Sequence, residues 1–203
     1  MDNFGNYLKW DYFENVILEK GLLYFSYYDL ERLFPHYQSA LKKFLTRKTK
    51  DGKLVRLKKG MYCIAKKIPS EYVLANLLYQ PSYLSLEFAL SFYLIIPESV
   101  YSVTSVTTKP TREFIVKEKA FTYNTIKRDA FCGYQPQKID NQTILFATAE
   151  KAMADYLYFV ILGKKSINDR INWGKLYKAK IEEYLVRYFK IDLVTVKKYL
   201  YDR

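Results

Sequence analysis

Positive charge is the feature of this sequence with the clearest capacity for chemistry. From His36 to Lys67 there are eleven lysine and arginine residues and one acid, Asp51, so this stretch carries +10 of the net charge of +12. Charge kept only for solubility would be spread along the chain, so the concentration indicates a local surface for an acidic partner. Nucleic acid, an anionic membrane surface and an acidic protein are partners of this kind.

The basic residues fall on two predicted elements. Apolar side chains at Tyr37, Ala40, Leu41 and Phe44 have the spacing of one helical face. The opposite face of this helix presents polar and basic residues, namely Ser39, Lys42, Lys43, Thr46 and Arg47.

A hairpin is predicted after the Asp51-Gly52 turn. "KLVRL" and "MYCIA" are its strands, and Lys58-Lys59-Gly60 closes them, with Gly60 supplying a positive φ. Because strand side chains alternate, Val55 and Leu57 are expected to pack while Arg56 and Lys58 reach outward.

Two further helices are predicted at the amino terminus. The first covers residues 7–20, with Leu8, Tyr12 and Val16 along its buried face and Phe13 and Ile17 beside them. The second is "YYDLERLF", which Ser26 caps and Pro35 ends.

Helix, helix, helix, hairpin is the order of a winged helix-turn-helix, so residues 1–67 are predicted to form a DNA-binding domain. In such a domain the recognition helix lies in the major groove while other elements hold phosphates. The proposed base-reading residues are Ser39, Lys42, Lys43, Thr46 and Arg47, and the proposed phosphate-binding residues are Arg56, Lys58 and Lys59.

The remainder predicts a second domain of mixed α/β type at residues 70–163 and a basic helical extension at 164–203, so the fold class is α+β. Residues 99–108 are free of charge and rich in β-branched residues, which is typical of a strand covered on both faces. Three more strands complete a small sheet, namely "REFIVKE", "AFTYNTIK" and "QTILFA".

The helices of the second domain have local start signals. A break is predicted at Pro81-Ser82-Tyr83, and Ser85 and Thr148 are predicted to cap helices. The helix after Thr148 is expected to bury one apolar stripe.

No pattern for catalysis or for a metal is found. His36 is the single histidine, and Cys63 and Cys132 lie far apart, which excludes a zinc site; neither a P-loop nor GxGxxG or HExxH occurs. The one acid-x-lysine motif, Asp51-Gly52-Lys53, belongs to a turn. We therefore expect a protein that is not an enzyme and has no cofactor.

The amino terminus lacks the basic start and apolar run of a signal peptide, and a reducing cytoplasm suits both cysteines. The longest apolar stretch, "YLSLEFALSFYLII", is too short to span a bilayer. A cytoplasmic protein without a membrane partner is expected.

Residues 8–160 resemble a known family, and the specific motifs lie in the middle of the chain. "YQPSYLSLEFALSFYLIIPESVYSVTSVTTK", followed by "FTYNTIK", "FCGY" and "LFATAEKAMADYLY", is similar to the AbiEi-like antitoxin and transcriptional regulator family of type IV (abortive infection) toxin-antitoxin systems. By position, the motif of the second domain falls on Ser82, Tyr83, Ser85, Glu87, Pro97, Glu98, Thr107, Thr108, Phe131, Gly133, Tyr134, Glu150 and Lys151. The family's usual proline before Glu150-Lys151 is replaced here by Ala149, at a helical position that tolerates either residue.

The resemblance implies a repressor that binds double-stranded DNA in its own promoter and opposes a nucleotidyltransferase-like toxin encoded beside it. The second domain would then serve a partner or a homodimer contact.

Two alternatives remain open. One is an enzyme or accessory factor on nucleic acid with a polar pocket formed by Tyr83, Glu87, Thr107, Thr108 and Lys109, although helix capping and strand pairing explain these residues better. The other is RNA binding through the same basic surface.

Overall fold

The computed structural model describes residues 7–139 and 141–202, which divide into two compact units between residues 70 and 71. Within the described residues there are eight α-helices and two β-sheets, so the predicted α+β class is confirmed. Residues 164–202 belong to the same unit as residues 71–163.

The first unit alternates helices with short strands. In chain order its elements are α1 (Trp10–Glu19), β1 (Phe25–Ser26), α2 (Tyr27–Leu33), α3 (Gln38–Lys50), β2 (Leu54–Lys58) and β3 (Met61–Ile64). The three strands form an antiparallel sheet in the order β1-β3-β2. A turn of 3₁₀ helix at Pro35–Tyr37 leads into α3.

Local signals explain where these elements begin and end. Ser26 caps α2 as predicted, and the cap is a full capping box: the backbone N–H of Asp29 donates to Ser26 Oγ (3.2 Å), and the backbone N–H of Ser26 donates to Asp29 Oδ2 (2.7 Å). Gly60 has a φ of +76° in the two-residue loop between β2 and β3, also as predicted.

Phenylalanine rings fill the core of the first unit. Phe13 lies at its centre, with ring centroids 5.6 Å from Phe25, 5.2 Å from Phe34 and 4.9 Å from Phe44. The buried face of α1 therefore runs through Phe13 and Ile17, and Tyr12, which was predicted to lie on that face, is 49% exposed. Helical periodicity found the helix but placed the centre of its buried face about one residue away.

The second unit is built on a six-stranded mixed sheet in the order β6-β7-β5-β4-β9-β8. Its strands are β4 (Ser82–Leu84), β5 (Val103–Thr107), β6 (Arg112–Val116), β7 (Lys119–Thr125), β8 (Tyr134–Ile139) and β9 (Gln142–Ala147). Its helices are α4 (Glu71–Leu78), α5 (Leu86–Phe92), α6 (Ala149–Ile161), α7 (Lys178–Glu183) and α8 (Leu193–Leu200), and a π-helical turn at Tyr184–Tyr188 continues α7. The strand predicted over 99–108 is buried along its whole observed length.

Two strands of the second unit were missed in the sequence, as was β1 of the first unit. Residues Ser82–Leu84 are a central strand between β5 and β9, so the predicted break at Pro81-Ser82-Tyr83 is wrong beyond Pro81. Strand β8 contains Pro136, which argues against a strand, but β8 lies at the edge of the sheet, where a missing N–H is tolerated.

Helix α6 is buried on every side. Lys151 and all nine residues after it as far as Val160 are buried, whereas the sequence predicted one apolar stripe. Thr148 caps the helix as predicted, accepting a hydrogen bond from the N–H of Lys151 at 3.3 Å. A fully covered helix leaves its polar side chains to find partners inside the protein.

Candidate nucleic-acid interface

The polar face of α3 is exposed at four of its five predicted positions. Ser39, Lys42, Lys43 and Thr46 are open to solvent, while Leu41, Phe44 and Leu45 are buried on the other side. Residues three and four apart stack on one face of a helix, so these four side chains form a continuous surface. Among the described residues, neither Lys42 nor Lys43 forms a salt bridge.

Arg47 differs from this prediction, since it is half-buried. Its guanidinium carbon lies 4.5 Å from the centre of the Tyr7 ring, and its Nε atom is buried without a hydrogen-bond partner among the described residues. The side chain is thus packed against the segment before α1, with its planar group held at the border of the polar face.

Lys50 was not predicted as a site residue. It is exposed, and it lines a surface concavity together with Lys42, Lys43, Thr46 and Arg47. Its position, seven residues after Lys43 and four after Thr46, would have placed it on the same face. We name this surface, made of Ser39, Lys42, Lys43, Thr46, Arg47 and Lys50, the α3 basic face.

Thr46 uses its hydroxyl proton inside the helix, donating to the carbonyl of Lys42 at 3.0 Å. Its oxygen therefore remains available mainly as an acceptor, which narrows the groups that it could bind.

The hairpin departs from simple alternation. Arg56 pairs with Tyr62 and Lys58 with Met61, so Leu57 is an extra residue in a β-bulge. Leu57 is buried and Arg56 exposed, as predicted, but Leu54 is also buried and Lys58 is only half-exposed. Val55 is half-buried rather than part of a packed face with Leu57. The bulge shifts the side chains after Arg56, and the sequence pattern could not reveal that shift.

Lys59 lies at the tip of the loop and is exposed. The hairpin that follows α3 in the chain adds three more basic residues, namely Arg56, Lys58 and Lys59. By contrast, residues 1–35 contain three basic and six acidic residues. The first unit therefore concentrates its positive charge in α3 and the hairpin, which suits an anionic partner there.

The second-domain motif contains a buried polar cluster. Lys151 forms an ion pair with Asp155, and both side chains are fully buried. Asp155 Oδ2 also accepts hydrogen bonds from Ser85 Oγ (2.7 Å) and from the Tyr83 hydroxyl (3.0 Å). Ser85 thus stands before α5 without capping it, contrary to the prediction, because its hydroxyl is turned to Asp155.

Aromatic rings close this cluster off. The ring centroid of Tyr83 lies 4.7 Å from that of Tyr134 and 5.1 Å from that of Phe131. The Lys151 ammonium lies 4.8 Å from the centre of the Phe189 ring. Burial raises the pKa of Asp155, and the Lys151 ammonium opposes this shift. The shell of rings makes the cluster part of the core.

Gly133 also belongs to this shell. It has a φ of +72°, and a Cβ there would approach the Tyr184 hydroxyl to 2.5 Å, so a larger residue would strain the backbone and displace the Tyr184 ring.

Three other motif residues have separate partners. Thr107 Oγ1 donates to the Pro81 carbonyl at 2.6 Å, Glu87 pairs with Lys165, and Glu98 pairs with Arg170. Ser82 is buried in β4, and its Oγ has no partner among the described residues; Thr108 and Glu150 are half-buried. Pro97 is exposed.

The polar pocket considered for an enzyme is not assembled. Ser82 lies opposite Thr107 in the β4–β5 ladder, so Thr107 and Tyr83 point to opposite faces of the sheet. Glu87 is engaged by Lys165, and Lys109 is exposed with its ammonium 5.5 Å from the Tyr79 ring centre. These side chains do not converge on one space.

Within residues 7–139 and 141–202, no three histidine, cysteine, aspartate or glutamate side chains group as a metal site. In the same part of the chain, no helix has the length and apolar character needed to cross a bilayer.

Comparison with known proteins adds no family. No family model matches the chain, and no curated protein matches it significantly.

Proposed function

We propose that the first unit is a winged helix-turn-helix that binds double-stranded DNA, with α3 as its recognition helix and the β2–β3 hairpin as its wing. The observation that carries the proposal is the exposed basic surface of α3, followed directly by a basic hairpin. The element order α1-β1-α2-α3-β2-β3 and the strand order β1-β3-β2 support it, since winged-helix modules are arranged in this way.

The α3 basic face offers the chemistry that base recognition requires. Lysine and arginine pair with guanine O6 and N7, and serine and threonine hydroxyls bond either base edge. Helix α3 spans 13 residues, or about 20 Å, which is long enough to cross the major groove. Sequence preference is therefore assigned to α3.

Arg56, Lys58 and Lys59 are assigned to phosphates. Such contacts release condensed counterions and give affinity on any sequence.

The proposed biological role is that of a cytoplasmic repressor acting as a type IV antitoxin, which binds its own promoter and opposes a nucleotidyltransferase-like toxin. This part rests on the resemblance of residues 8–160 to the AbiEi-like family. An adjacent reading frame of nucleotidyltransferase type, whose toxicity in cells falls when this chain is co-expressed, is the expected observation. A neighbouring frame whose toxicity this chain leaves unchanged would contradict the antitoxin role while leaving DNA binding intact.

The direct experiment compares the full chain with Lys42→Ala/Lys43→Ala and with Lys197→Ala/Lys198→Ala. Both variants lose two positive charges from exposed helical positions, the first on α3 and the second on α8. Measured by fluorescence anisotropy on duplex DNA, the α3 variant should lose at least tenfold in affinity, and the α8 variant should bind like the parent chain. Equal loss in both would mean that only total charge matters.

A further inference from the structure

The outer edge of β6 is the open edge of the second unit's sheet. Strands β6 and β8 are the two edge strands. Strand β8 carries Pro136 and Lys138, residues that block strand pairing. Strand β6 has neither proline nor bulge and pairs with β7 in unbroken register from Arg112 to Val116.

The backbone of β6 is oriented to accept another strand. Lys117 and Glu118 have φ values of 44° and 68° and form the two-residue turn that joins β6 to β7. In such a hairpin the closing residues hydrogen-bond to each other, so Val116, Phe114 and Arg112 face β7. The N–H and C=O groups of Glu113 and Ile115 then point away from β7, and no other backbone hydrogen bond to residues 112–116 occurs within the described part of the chain.

The side chains along this edge have a self-complementary order. Ile115 is 68% exposed, and charges of opposite sign flank it at equal distances: Glu113 with Lys117, and Arg112 with Glu118. Among the described residues, none of these four charges is in a salt bridge. Charges that prevent edge-to-edge pairing place like charges against a second copy. The order along β6 instead places opposite charges together when a second copy lies antiparallel to it.

We propose that β6 is a homodimer interface, in which two copies pair antiparallel about a twofold axis at Ile115. Ile115 then lies opposite Ile115 of the second copy, Glu113 lies opposite Lys117, and each Ile115 exchanges backbone hydrogen bonds with the other. Lys117 is the first residue of the turn, so it contributes its side-chain charge to the interface but no further backbone hydrogen bonds. The two six-stranded sheets become one continuous sheet, and the same patch serves both copies, as twofold symmetry requires.

This interface is independent of DNA binding, and its test uses no DNA. Sedimentation equilibrium of the full chain over a concentration series should show a monomer–dimer equilibrium that weakens with added salt. Glu113→Lys and Lys117→Glu should each weaken the dimer by about tenfold or more, because two attractive pairs become repulsive. Lys138→Glu, a charge reversal of the same kind on β8, should leave the dimer unchanged.

Mixing the two variants gives the sharpest result. The Glu113→Lys chain carries lysine at both paired positions, and the Lys117→Glu chain carries glutamate at both. Opposite charges therefore face each other only when one chain of each kind pairs, so the mixture should form a heterodimer at concentrations at which each variant alone is monomeric. Circular dichroism of each variant checks that it is folded. A parent chain that stays monomeric at every concentration, a dimer unmoved by both reversals, or a mixture that fails to associate would overturn the proposal.

Discussion

The guanidinium of Arg47 stacks on the ring of Tyr7, with 4.5 Å between the guanidinium carbon and the ring centre. The contact joins α3 to the segment before α1 and fixes one border of the α3 basic face. A planar cation held in place loses less freedom when it binds a base or a phosphate.

The first prediction concerns this contact. Tyr7→Ala and Arg47→Ala should show a coupling of about 0.5–1 kcal/mol in the free energy of unfolding, the usual strength of an exposed cation–π contact. The double-mutant cycle is measured by urea denaturation, with Trp10 fluorescence reporting on the first unit in a Trp173→Phe background. Tyr7→Phe keeps the ring and should behave like the parent chain. Strictly additive effects would show that the ring does not hold Arg47.

The second prediction separates the wing from the recognition helix. Lys58→Ala/Lys59→Ala should reduce the slope of log affinity against log salt by about 0.9 for each phosphate that is no longer neutralised, on all duplexes alike. The ratio of affinities for specific and scrambled DNA should stay constant, because phosphate contacts carry no sequence information. A changed ratio with an unchanged slope would reverse the roles of hairpin and helix.

The third prediction concerns the capping box of α2. Ser26→Ala should lower the free energy of unfolding by about 1 kcal/mol. Ser26→Asn should keep most of this stabilisation, because asparagine is also a good N-cap residue.

Hydrogen bonds from Ser26 lower the pKa of Asp29. The stabilisation from this carboxylate is therefore present above its ordinary pKa, near 4, and is lost as the pH falls through the lowered value. Urea denaturation of the parent chain and of Asp29→Asn at pH 7 and pH 3 measures this. A difference between the two chains that is as large at pH 3 as at pH 7 would contradict the role of the carboxylate.

The fourth prediction concerns the buried ion pair. Lys151→Met or Asp155→Leu alone should cost about 3–5 kcal/mol, because each leaves an unpaired charge in the core. The double variant should recover a large part of this loss, although the Ser85 and Tyr83 hydroxyls then lose their acceptor. Trp173 fluorescence during urea denaturation, in a Trp10→Phe background, reports on the second unit. Single variants that unfold like the parent chain would show that the pair is not needed for the fold.

Local patterns were sufficient for the helices and the hairpin of the first unit, but not for β1, a two-residue strand that is defined by its pairing with β3. The apolar spacing of α3, the Ser26–Asp29 cap and Gly60 each act within a few residues, so the sequence reveals them directly. The packing of Arg47 depends on Tyr7, forty residues earlier, and no local signal reports it. The bulge at Leu57 is likewise a property of strand pairing.

In the second unit the buried ion pair does have a local signal. Lys151 and Asp155 are four apart on a helix that is apolar apart from them and Glu150, and this is the spacing at which opposite charges meet, so the pair could have been predicted from the sequence. Strand β4 could not have been predicted from the sequence. It has only three residues and becomes a strand through its neighbours β5 and β9, so its state is set by tertiary contacts.

The central claim is that α3 gives the protein a preference for particular DNA sequences. The most direct measurement is the affinity of the full chain for DNA from upstream of its own gene and for a scrambled duplex of equal composition, over a salt series. We expect both affinities to fall with salt and the upstream DNA to bind more tightly at every salt concentration. Equal affinity for the two duplexes throughout the series would contradict a sequence-specific repressor.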